Sequence, residues 1–78
     1  MSKPSSAELR ASEMWVAKNA TFSKRNTGDG VVFRVVANVD GKYSREQLVT
    51  DPEDNDEAYV WIVGELQTIL EEHGKISS

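Results

Sequence analysis

Cysteine is absent from this 78-residue chain, histidine occurs once and proline twice. Without cysteine there is no disulfide scaffold, no thiolate metal centre and no dithiol redox chemistry. The lone histidine, His73, leaves one imidazole for any Ser-His-Asp arrangement. It falls at the end of a helical pattern on the core-facing stripe, where a histidine ordinarily interacts with the last helix carbonyls. No apolar run approaches the ~20 residues of a membrane-spanning helix. The chain is also too short for two hydrophobic cores, so residues 1–78 read as one small domain with its ordered core over 7–74. So small a fold has little volume to hollow into a deep catalytic pocket. The opening residues Met1 to Ser6 are polar and lack the apolar stretch of a secretory leader. The cytoplasm is therefore the expected compartment, and the sequon at Asn19 is expected to be unused.

What is present organises into α+β structure. Ser5 and Glu8 have the spacing of a capping box and predict a short helix from Ser6 to about Glu13. Met14, Val16, Ala20 and Phe22 then alternate, which predicts a strand over 15–22, and Lys24 to Gly30 reads as a turn. Residues 31–39 carry the strongest strand pattern, with Val31, Phe33, Val35, Ala37 and Val39 on one face. Asp40-Gly41 is the preferred pair for a two-residue type I′ hairpin, which would set Val39 opposite Lys42. Residues 44–49 fit either a return strand or a helical turn. The last element is a long helix with Asp51 as N-cap, Pro52 in the first turn and Gly74 as terminator. Tyr59, Ile62, Val63, Leu66, Ile69, Leu70 and His73 form its apolar stripe. The expected architecture is a small antiparallel sheet of two to three strands packed against one long C-terminal helix, with a short helix before it and loose ends.

Chemical templates fail individually. Gly28-Asp29-Gly30 would need a glycine at position 33, which is Phe33, to continue as a dinucleotide motif. Gly41-Lys42 lacks both the earlier glycine and the following Ser or Thr of a P-loop. Asp51, Glu53, Asp54, Asp56 and Glu57 do not match the calcium loop, because an EF-hand starting at Asp51 needs glycine where Asp56 stands. Nothing marks any carboxyl as desolvated, as acid catalysis requires. The sequence therefore predicts no enzymatic activity, no metal and no cofactor.

Charge carries more information. The chain has a net charge of −4, divided as +3 over residues 1–49 and −7 over residues 50–78. A helix cap and dipole call for one or two acids, whereas residues 51–57 hold five. Advancing 100° per residue places Trp61 about 140° from the centre of the apolar stripe. A tryptophan on an acidic outer helix face suggests an interface hot spot, with another protein or with a second copy as a homodimer, unless residues 1–10 fold over it. The candidate partner-binding residues are thus Trp61, Asp54, Glu57, Glu65 and Glu72. The predicted partner is a protein with a basic surface, with no membrane and no free nucleic acid. In size and charge the chain is similar to the small accessory proteins that phages direct against host machinery, anti-defence inhibitors among them. The expected function is inhibition or modulation of a partner macromolecule, and if the partner's surface normally holds nucleic acid, the chain's carboxylates would stand in for phosphates. The competing reading is a nucleic-acid-binding sheet face built from Lys24, Arg25, Arg34, Lys42 and Arg45, with Tyr43 and Trp15 as stacking platforms.

Overall fold

A computed structural model describes residues 3–76. The elements run α1 (Ser6–Asn19), β1 (Ala20–Thr27), β2 (Gly30–Ala37), β3 (Ser44–Val49), a 3-10 turn (Pro52–Asp54) and α2 (Asn55–Glu72). The three strands form one antiparallel sheet in the order β1-β2-β3. The buried sheet residues Ala20, Phe33, Val35, Ala37 and Val49 all lie on one face, and α1 and α2 cover it. The other face is left open.

The capping box forms as its spacing predicts. The Ser5 hydroxyl accepts from the Glu8 amide at 3.1 Å, and the Glu8 carboxylate accepts from the Ser5 amide. The helix does not end at Glu13, however, and residues 15–19 are helical rather than extended. No glycine or proline stands between Pro4 and Gly28 to force a break. Leu9 and Val16, seven residues apart, satisfy a helical face as well as the alternation satisfied a strand. The strand begins at Ala20 and runs on through Lys24 and Arg25, which the polar composition had suggested were turn. An edge strand tolerates such side chains because its outer side is solvated. The turn itself is only Gly28-Asp29, with the Thr27 hydroxyl accepting from the amides of Asp29 and Gly30.

The second hairpin turns through Asp40-Gly41, but with a different geometry. Neither residue has positive φ, so the type I′ turn is absent. Instead the Asp40 carboxylate accepts from the Lys42 amide at 3.0 Å and its carbonyl accepts from the Tyr43 amide at 3.1 Å. Strand β2 stops at Ala37 and leaves Val39 54% exposed. Residues 44–49 are strand, pairing Val36 with Ser44 and Val31 with Val49. That register is one residue away from the expected Val39–Lys42 pairing. A one-residue slip moves every side chain of a strand to the opposite face. Tyr43, Arg45, Gln47 and Val49 therefore share the helix side, and Ser44, Glu46 and Leu48 share the open side. Burying Val49 and tucking Tyr43 against the core outweighs the local preference of Asp-Gly.

Asp51 caps the 3-10 turn by accepting from the Glu53 amide at 3.0 Å, and α2 follows. Ile62, Val63, Leu66 and Leu70 are buried, with Val35 among them at the centre of the core. Ile69 is half-buried at the flank rather than core, because the stripe centres nearer Leu66 and Leu70. His73 is exposed, not core-facing; its ring tilts against Tyr43 at 5.2 Å. Gly74 terminates the helix with φ +67. Ile76 packs on the core rather than hanging loose; Ser77 and Ser78 lie outside the described residues.

Full burial of a leucine side chain contributes about 1.5–3 kcal/mol, and its removal also leaves a cavity. Leu66→Ala is expected to destabilise the fold by about 2–5 kcal/mol, a large part of what so small a domain possesses. Urea unfolding of the variant measures this; unchanged stability would place the core on another face of α2.

Candidate functional site

Trp61 lies 53% exposed, in the second turn of α2. It faces the flank of the helix beside β3, the sheet's edge strand. A groove with a volume of about 610 Å³ runs between the two elements, lined by Gln47, Leu48 and Thr50 on one side and Asp54, Glu57 and Trp61 on the other. Leu48, on the open side of β3, is 43% exposed. Glu57, one turn before Trp61 on α2, and Asp54, at the N-cap two turns before it, reach the groove from the same flank. No lysine or arginine lines it, and neither carboxylate is ion-paired among the described residues. Residues 3–10 do not cover the tryptophan: none of them lines the concavities beside it, and Ser6–Arg10 belong to α1, which packs on β1 and α2. Met1 and Ser2 lie outside the described residues.

The other acidic candidates are placed differently. Glu65 is held by Arg45 of β3, with Nε to Oε1 at 3.1 Å. Both side chains are partly exposed, so the pair contributes at most about 1 kcal/mol; it ties α2 to β3 and lowers the charge that Glu65 offers to a partner. Glu72 stands eleven residues beyond Trp61, about 16 Å along the helix axis, and lines no groove with it. Of the five candidates, then, Trp61, Asp54 and Glu57 converge. Leu48, Gln47 and Thr50 join them, and sequence reasoning missed these three because their placement depends on the β3 register.

The basic residues do not converge. Lys24 pairs with Phe33 and so takes the helix side of β1, and Arg45 takes the helix side of β3. Arg25 and Arg34 lie on the open face, where Glu46 stands across from Arg34. Lys42 is in the β2–β3 loop. Tyr43 and Trp15 pack against the core and form no platform on the open face.

A second concavity of about 450 Å³ lies between α1, β1 and the start of α2. Phe22, Phe33 and Tyr59 form its aromatic wall in edge-to-face contact, with ring centroids 5.4 Å and 4.9 Å apart. Glu13, Lys24 and Asp56 stand at its rim. Burial raises the Tyr59 phenol above its ordinary value, and the charge of Glu13 adds to the shift. Among the described residues no three His, Cys, Asp or Glu side chains come together as metal ligands, and no helix is long and apolar enough to cross a membrane.

No protein-family model, curated protein or solved structure matches the chain.

The shifted phenol makes stability depend on alkaline pH. The folded state holds the Tyr59 proton more tightly than the unfolded chain does, so this stabilisation is complete below the unfolded value and is lost as pH rises through the folded one. Tyr59→Phe should flatten the decline in stability above about pH 10. Equilibrium unfolding across pH 8–11 tests it; parallel curves for both proteins would mean that Tyr59 titrates as it does in the unfolded chain.

Proposed function

We propose that this protein is a non-enzymatic binding protein of the cytoplasm that inhibits or modulates a partner protein by docking the acidic flank of α2 onto a basic surface. The observation that carries the reading is the exposed Trp61 beside two unpaired carboxylates in a groove without cations. Leaving a tryptophan half in water is costly, and interface hot spots are rich in this residue. Asp54 and Glu57 would steer a cationic partner and orient it. Where the partner's basic surface ordinarily holds nucleic acid, these carboxylates take the place of phosphates. That is the mode of a phage-type anti-defence or host-takeover inhibitor.

Affinity capture from the source organism's lysate, followed by kinetics on the retained protein, tests this reading. Trp61→Ala should weaken the complex by about 2 kcal/mol or more while leaving the thermal transition in place. Glu57→Lys should slow association, less so at high salt, and Glu72→Lys should do so more weakly. Free DNA and RNA should form no complex tighter than about micromolar at physiological salt. If Trp61→Ala changes neither folding nor partner binding, another surface docks the partner. A nanomolar nucleic-acid complex lost in Arg25→Glu would favour the open sheet face instead.

A further inference from the structure

We propose that the β3–α2 groove receives an extended segment of the partner as a fourth strand of the sheet, with the segment's cationic side chains directed at Trp61, Asp54 and Glu57. This rests on the reading of Trp61 as the partner-binding surface and names how the partner is held. The first observation is the phase of the ladder. The Ala37 amide donates to the Tyr43 carbonyl at 2.8 Å, so the Tyr43 carbonyl and the backbone groups of Arg45, Gln47 and Val49 are directed toward β2. The alternation of an antiparallel pair then turns those of Ser44, Glu46 and Leu48 outward. No other backbone segment among the described residues bonds to that outer edge.

The second observation is that the chain's own side chains stand where partner donors would come. Gln47 Nε2 donates to the Leu48 carbonyl at 3.2 Å, and Arg45 donates to the Ser44 carbonyl at 3.4 Å. These local bonds shield the edge while it is unoccupied, at little cost to displace. The third is the chemistry of the walls. A strand added about 4.8 Å outside β3 alternates its side chains across the sheet. Every second one falls on the helix side, within the groove that holds Trp61 and the two carboxylates, where arginine or lysine gains both charge pairing and a cation–π face. The intervening side chains fall on the open side next to exposed Leu48, where a β-branched residue packs. Charge also decides between occupants. Pairing β3 with β3 of a second copy would bring four carboxylates toward the two-fold axis, with only Arg45 of each copy, already paired to its own Glu65, as a cation on that side, and a phosphate backbone would meet the same carboxylates.

The test is a titration of the isotopically labelled chain with an acetylated peptide that alternates arginine with valine, read by amide and indole chemical shifts. The expected result is movement of Ser44, Glu46, Leu48 and the Trp61 indole, with no response to a glutamate–valine control. Glu46→Pro removes an outward amide without touching the β2 ladder and should weaken the peptide about fivefold or more. N-methylation along one edge of the peptide should abolish binding, whereas methylation along the other edge should not; this comparison decides the matter if the proline variant fails to fold. If the peptide moves Trp61 but proline and N-methylation change nothing, strand addition is wrong and the acidic flank alone binds. If Trp61 does not respond at all, strand addition and the underlying surface assignment both fall. Shifts at the β3 edge that depend on protein concentration without peptide, or that an oligonucleotide reproduces, would overturn the proposal in favour of self-pairing or nucleic acid.

Discussion

The contact between the apolar stripe of α2 and the central strand is the interaction on which the other features depend. Ile62, Val63, Leu66 and Leu70 are buried together with Phe33 and Val35, and each leucine-sized side chain contributes about 1.5–3 kcal/mol when fully removed from water. That contact decides which sheet face is covered. With the face decided, β3 must present Tyr43 and Val49 inward, and Leu48 is turned out. Arg45 then lies within reach of Glu65, and the flank of α2 that carries Trp61 comes to border the edge of the sheet. The groove is thus a by-product of core packing.

Much of this was legible in the chain. The long helix was readable because Asp51, Pro52 and Gly74 mark its limits and its stripe keeps a 3.6-residue period. The central strand was readable because Val31 to Ala37 alternate without a polar interruption. The exposure of Trp61 followed from the same periodicity, since a stiff helix converts sequence spacing into direction. The boundary between α1 and β1 was not readable, because residues 14–22 satisfy two periods at once. The β2–β3 register was missed for another reason. Asp40-Gly41 is a strong local signal, and a local signal lost to burial of Val49, eight residues away. Arg45–Glu65 bridges twenty residues of sequence and no spacing rule reaches it. The role of Leu48, Gln47 and Thr50 as groove walls was hidden with the register.

Charge segregation along the chain becomes spatial segregation only in part. Of the five acids of residues 51–57, Asp54 and Glu57 line the Trp61 groove, while Asp56 stands at the concavity beside α1. The positive groups are dispersed: some face the helices, one is consumed by Glu65, and two share the open face with Glu46. An anion-rich concavity beside a sheet edge and a scattered set of cations favour a cationic protein segment over a phosphate backbone.

Trp61 lies accessible in a groove whose charged lining residues are carboxylates. Collisional quenching of its fluorescence by caesium and by iodide, with Trp15→Phe to isolate the signal, tests this most directly. Caesium should quench more effectively than iodide at low ionic strength, added salt should narrow the gap, and Glu57→Gln should narrow it further. Equal quenching by both ions, preference for iodide, or protection from both would contradict it.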